Sequence, residues 1–212
     1  MTVILAIATA LAGYFVGAVP FGYLVARWRG VDIFAHGSGN IGATNVGRVL
    51  GRGFGIVVFA LDFAKGALPT AAGLALGAAF EVNPPALLGV AAGLGAFVGH
   101  LYPVYLHFRG GKGVATGAGI IAVLVPATAA LALLTWAAVL AATRYVSLAS
   151  VVAAAAVCGL RLGFTAGPWD EANVVVTAFC LSGAALVVVR HHGNLRRLNR
   201  GLRSSRRLAP RS

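Results

Sequence analysis

TVILAIATALAGYFVGAVPFGYLVA, residues 2–26, holds no ionisable group apart from the Tyr14 and Tyr23 phenols. About 20 consecutive apolar residues suffice for a helix to cross the hydrocarbon core of a bilayer. The stretch therefore reads as a membrane span. A removable signal peptide would open on basic residues and carry an apolar core of roughly 7–15 residues. Here no Lys or Arg precedes Arg27 and the apolar run is far longer, so the segment is expected to stay as a first helix. Arg27 and Arg29 follow it, which orients the N-terminus outside.

The rest of the chain extends the pattern. Of 212 residues, 59% are hydrophobic and 10% charged, whereas a soluble domain carries roughly 25% charged residues. Apolar segments run over residues 3–26, 54–79, 85–101, 114–143, 146–162 and 172–189. The stretches 27–53, 102–113, 144–145 and the tail hold nearly all the basic residues, while the turns at Glu81 and Asp170-Glu171 hold none. Basic connections belong in the cytoplasm and the acidic turns outside. Loop 102–113 and the C-terminus then share one side, so an even number of crossings must separate them. Splitting 114–143 at Pro126 supplies four and keeps Arg144 inside. The expected architecture is all-α, a single polytopic bundle over residues 1–212. It has seven transmembrane helices, an outside N-terminus and a cytoplasmic C-terminus. Five crossings with re-entrant segments is the alternative. The pairs Gly13/Gly17 and Gly89/Gly93 allow close helix approach in lipid and are read as packing inside one chain.

The formal charge is +12, from 17 Lys and Arg against 5 Asp and Glu, and the tail from about 191 to 212 is rich in arginine. Directly after a span, such a tail suits anionic lipid headgroups; no nucleic-acid partner is expected. Cys158 and Cys180, inside apolar segments, are assigned no chemistry.

Polar residues that helix packing does not need gather in four places. Residues 37–48, GSGNIGATNVGR, formally contain G-x-G-x-x-G with Asp62 twenty residues on. That dinucleotide fingerprint counts only between a strand and a helix, and here it lies between spans. Its physical content survives: glycines free backbone amides for an anion. Ser38, Asn40, Thr44 and Asn45 add donors, and Arg48 adds a guanidinium suited to phosphate. Residues 99–103, GHLYP, precede 108–116, FRGGKGVAT. The P-loop pattern is not met, because Gly113 follows the lysine. A lysine flanked by glycines at a helix mouth is nonetheless an anion site, and Arg109 with Lys112 would also serve topology. Residues 190–201, RHHGNLRRLNRG, follow the last span, with His191 and Asn194 at i, i+3. No ligand spacing supports a metal, His100 included, and none is expected. Asp62 and Lys65 lie inside the second span. There ionisable groups are costly, and their i, i+3 spacing permits a supporting ion pair.

GSGNIGATNV at 37–46, GH at 99–100 with Pro103 and GGKGVAT at 110–116, and the run from Arg190-His191 through Asn194-Leu195 to Arg197-Leu198 resemble, in order, the three motifs of the bacterial acyl-phosphate:glycerol-3-phosphate acyltransferases. DFAKG at 62–66 and YVSLAS at 145–150 also match, and the resemblance spans nearly the whole chain. Phe34 and Ala35 stand where basic, polar residues are usual, Arg109 where Lys is usual, and Asn199 where Leu is common. The resemblance implies a multi-pass enzyme of phospholipid synthesis in the bacterial inner membrane, with its motifs facing the cytoplasm. It implies acyl phosphate as donor, glycerol 3-phosphate as acceptor, and lysophosphatidic acid and phosphate as products. No cofactor is expected, and no feature marks an obligate protein partner.

On that basis Ser38, Arg48 and Lys112 are expected to bind and neutralise phosphate. His191, positioned by Asn194, would orient the attacking hydroxyl or take its proton, a role open equally to a substrate phosphate oxygen. Gly37, Gly39, Asn40, Gly42, Thr44, Asn45, His100, Gly110, Gly111 and Gly113 are the expected substrate-binding residues. Two rivals remain at this level. One is a transporter of phosphorylated metabolites, against which stand the one-sided motifs and the lack of repeats. The other is an acyltransferase with a thioester donor, which only the motif resemblance disfavours.

Overall fold

The computed structural model describes the backbone of residues 1–207 and the side chains of residues 1–196. Among the described residues all regular structure is helical: α1 Thr2–Ala18, α2 Phe21–Trp28, α3 Ala43–Leu50, α4 Arg52–Ala79, α5 Leu87–Leu101, α6 Val114–Leu124, α7 Pro126–Thr143, α8 Val146–Phe164 and α9 Glu171–Arg207, with a 3-10 turn at Val104–Leu106. Six stretches are long and apolar enough to cross a bilayer: Thr2–Trp28, Arg52–Ala79, Leu87–Leu106, Pro126–Thr143, Val146–Phe164 and Glu171–Arg196. α6, with 11 residues, is about 16 Å long, roughly half the hydrocarbon core. Ile4, Leu11, Ile56, Leu68, Leu133, Leu134 and Phe164 are exposed, on a surface a soluble fold would keep polar. The chain is a multi-pass membrane protein.

The break expected at Pro126 is present. α6 ends at Leu124, Val125 is extended, and Pro126 opens α7, where its missing N–H costs nothing. Three other features depart from the sequence reading. The first apolar run is not one helix, since Pro20 ends α1 at Ala18 and the chain restarts as α2. The stretch 27–53, read as polar loop, contains α3, and its Val46 docks with Ile33 and Ile41 on Ala26 and Val58. That small apolar cluster pins the loop to α2 and α4. Finally, α9 does not stop near Val189. It has 37 residues, about 55 Å, and carries the expected tail on as helix.

α1, α4, α5 and α6 pack at close range through glycine. A methyl group on Gly17 would run into the backbone of Ala96, and one on Gly95 into the Ala10 carbonyl. α7, α8 and α9 form a second group joined to it by an apolar core of Phe97, Leu101, Ile120, Val157, Phe179 and Val187. The rings of Phe97 and Phe179 meet edge to face at 6.2 Å. Within the second group, Trp136 Nε1 donates to Ser150 Oγ at 3.3 Å.

Candidate active site

The first glycine loop is organised by a single side chain. Asn45, in the first turn of α3, is buried, and its amide donates to the carbonyls of His36 (3.1 Å) and Asn40 (2.9 Å). Its Oδ1 accepts the backbone N–H of Ser38 (2.8 Å) and an N–H of Arg48 (3.3 Å). The loop thus curls round Asn45, with Gly37 and Gly39 in the left-handed conformation that turn requires. The Asn40 side chain accepts the N–H of Gly42 (2.9 Å), which precedes α3. The Ser38 hydroxyl, Thr44 and Arg48 are left on the exposed side of the loop. Asn45 therefore shapes the loop, because its amide is spent on the backbone.

The second loop leaves α5 at Tyr102 and reaches α6 at Gly113. Gly113 is left-handed (φ 81°) and lies against the Phe97 ring, which leaves no space for a Cβ. Gly111 lies against the His100 imidazole and donates its N–H to the His100 carbonyl at 3.0 Å. The carbonyls of Gly110 and Gly111 accept N–H groups of the Arg190 guanidinium at 2.7–3.2 Å. The Asn40 amide also donates to the Gly110 carbonyl, at 3.4 Å. Lys112 Nζ donates to Asn194 Oδ1 at 2.7 Å. Loop one, loop two and the emerging part of α9 thus meet, as their three separate motifs require.

His191 is 3% exposed, and its Nδ1 lies 2.8 Å from the Val187 carbonyl. A carbonyl only accepts, so Nδ1 is the donor and Nε2 of the neutral ring carries the lone pair. The Val187 carbonyl fixes the ring, and Asn194, expected to position it, accepts from Lys112. Beneath the loops, Lys65 Nζ lies 2.9 Å from Asp62 Oδ1, with both residues buried. Lys65 also donates to the Val19 carbonyl at 2.8 Å, which accepts the Phe21 N–H (3.2 Å) as well, where Pro20 interrupts the α1 ladder. His100 Nδ1 sits 3.6 Å from Asp62 Oδ1, so the imidazole stands between this pair and Gly111.

Two residues were missed. Arg190 opens the third motif and ties α9 to the second loop, yet it was given no role. Arg161, 5% exposed in the last turn of α8, donates to Thr177 Oγ1 (3.0 Å) and Asn173 Oδ1 (2.8 Å). A lone arginine inside an apolar run was its signal. The side chains of Arg197, Leu198 and Asn199, and the arginines beyond them, lie outside the described side chains.

Fold and site together define a class: polytopic helical membrane proteins whose two glycine-rich loops meet the basic end of the last helix. Within that class, the chain belongs to the glycerol-3-phosphate acyltransferase family, whose profile matches residues 7–201. It is 46% identical over 195 residues to the glycerol-3-phosphate acyltransferase of Myxococcus xanthus, covering 91% of this chain and 95% of that relative. With the Aquifex aeolicus relative it shares 39% identity over 188 residues, 89% and 92% of the two chains. Crystal structures of PlsY, an integral membrane glycerol 3-phosphate acyltransferase, align with it at 36% identity over 92% of each chain. Their TM-scores are 0.82 for the glycerol 3-phosphate form and 0.79 for the lysophosphatidic acid form.

Proposed function

We propose that this enzyme transfers a fatty acyl group from acyl phosphate to the 1-hydroxyl of glycerol 3-phosphate, giving lysophosphatidic acid and phosphate. The observation that carries the reading is the convergence of Asn40 and Arg190 on the Gly110 and Gly111 carbonyls, beside the Lys112–Asn194 hydrogen bond, in a multi-pass bundle. Membership of the glycerol-3-phosphate acyltransferase family supports it.

Both substrates carry phosphate. The Ser38 hydroxyl, Arg48, Lys112 and the backbone amides at the start of α3 bind and neutralise it, with Asn194 holding the lysine in place. The 1-hydroxyl oxygen attacks the acyl carbonyl, and the new ester C–O bond forms as the bond to phosphate breaks. Phosphate leaves with the electron pair. Neutralised phosphate is a good leaving group, so positioning and electrostatics supply much of the rate. The hydroxyl proton passes to a phosphate oxygen or to Nε2 of His191, whose tautomer Val187 sets. Loss of turnover in His191→Ala but not His191→Asn assigns orientation to the ring rather than proton transfer.

The reaction takes place at the cytoplasmic face of the bacterial inner membrane. This reading counts seven crossings, the six long apolar stretches and the shorter α6, with the N-terminus outside, and the basic loops support that orientation. The test uses the purified full chain in lipidic mesophase with glycerol 3-phosphate and either palmitoyl phosphate or palmitoyl-CoA. Phosphate release with lysophosphatidic acid is expected from palmitoyl phosphate alone. Turnover with palmitoyl-CoA alone overturns the donor assignment, and silence of folded protein with both overturns the function. In Ser38→Ala or Lys112→Ala, kcat/KM falls about 100-fold or more; near-normal turnover removes that residue from the site.

A further inference from the structure

We propose that a cavity of about 310 Å³ between α2 and the turn over residues 103–109 is a second phosphate-binding site, lined by side chains other than those assigned to the reaction. It takes the phosphate of a small phosphomonoester or of an anionic lipid headgroup. Its lining side chains are none of those assigned to the reaction, so the proposal stands independently of that reading.

The lining has the chemistry of an anion site. Arg27 enters from α2, Arg109 and His107 from the turn, and Asp32 is the sole carboxylate among the lining residues. Asp32 Oδ1 accepts the N–H of Phe34 at 3.0 Å. The described ion pairs all involve Asp62, so neither lining arginine has a carboxylate within 4.0 Å among the described residues. Arg109 is held 4.2 Å over the Phe34 ring. A guanidinium over an aromatic face is fixed there by its charge, and its N–H donors remain for a phosphate. The Tyr23 and Tyr105 hydroxyls add neutral donors.

The turn is built to hold this arrangement. A 3-10 turn ends in two successive left-handed residues, His107 (φ 50°) and Phe108 (φ 62°), a backbone path that costs free energy outside glycine. The cavity lies at the low end of the range of about 300–1,000 Å³ usual for ligand sites. It therefore suits one headgroup and not a nucleotide-sized ligand. Exposed Tyr105 lines it, and exposed Trp28 and Phe108 are sequence neighbours of the lining residues Arg27 and His107. Aromatic residues of this kind sit at the headgroup level of a bilayer, where phosphates are found.

The experiment places the full chain, with 15N-labelled histidine, in phosphatidylcholine nanodiscs and follows the His107 ring signals, assigned by their loss in His107→Gln. Glycerol 3-phosphate and inorganic phosphate are titrated in turn. The expected result is a saturable shift whose apparent affinity falls about tenfold in Arg109→Gln or Arg27→Gln and is unchanged in Lys112→Ala. A shift that appears only when phosphatidic acid replaces part of the phosphatidylcholine identifies the lipid as the source. A His107 signal that no probe moves overturns the proposal. So does a shift lost in Lys112→Ala and kept in both arginine variants, because it then reports the reaction centre.

Discussion

The two halves of this bundle are assembled by different means. In α1, α4, α5 and α6, glycines bring backbones into direct contact, as at Gly17 against Ala96, Gly66 against Thr116 and Gly119 against Phe63. In α8 and α9, Gly159, Gly163 and Gly193 meet nothing within 4 Å of an added Cβ, and Gly183 only the Phe179 ring at 4.0 Å. There a hydrogen-bonded clamp does the joining: Arg161 grips Thr177 and Asn173, which in turn hold the carbonyls of Pro168 and Gly167. Lipid supplies no hydrophobic drive between helices, so close packing or polar contact must replace it. The close-packed half carries both glycine loops, and the clamped half lends α9.

On that division, a β-branched side chain at Gly95 is the most damaging single change. Gly95→Val pushes into Ala10 and Tyr14 and should cost about 3 kcal/mol or more. The expected outcome is no monodisperse protein on size exclusion; a normal thermal midpoint would break the comparison outright. Next comes Asn45→Ala, which strips four hydrogen bonds from a buried position at a cost of about 2–3 kcal/mol. A lowered thermal midpoint with a raised KM for glycerol 3-phosphate is expected, since the loop loses its centre. Arg161→Met should lower stability by only about 1–2 kcal/mol, because Thr177 and Asn173 keep their backbone partners. Its KM for glycerol 3-phosphate should stay at the wild-type value. A change in that KM would show that the clamped half tunes the site. The smallest effect belongs to Gly159→Ala, with stability unchanged or raised by up to about 1 kcal/mol in chemical denaturation.

Most of the membrane architecture was legible, because a run without charge has few options in water and one good one in lipid. The split at Pro126 was legible for the same reason that Pro20 should have been: a ring in place of N–H ends a helix ladder. Pro20 was hidden by its neighbours, an apolar run read as continuous. α3 was missed because ATNVGRVL is short and half polar, and only its contact with Ile33 and Val58 makes it an anchored helix. At the site, residue types announced hydrogen-bonding capacity but not partners. Asn45 and Ser38 look equally suited to a phosphate in the sequence, yet the Asn45 amide is spent on backbone and the Ser38 hydroxyl is exposed. The same limit applies to His191 and Asn194. Their spacing suggested that one supports the other, and it did not announce that His191 Nδ1 meets the Val187 carbonyl or that Asn194 accepts from Lys112.

The contact between Lys65 and Val19 bears on how the chain enters a bilayer during synthesis. A lysine at the centre of a helix costs about 3 kcal/mol to insert on its own. Lys65 arrives in α4 with Asp62 one turn away, so the pair can enter without net charge. The α1–α2 segment has been made by then, and Lys65 meets it at the Val19 carbonyl beside the break. His100 reaches Asp62 only later, with α5. The turn at Pro20 thus presents, in a segment made earlier, a carbonyl that takes the Lys65 N–H beside that of Phe21.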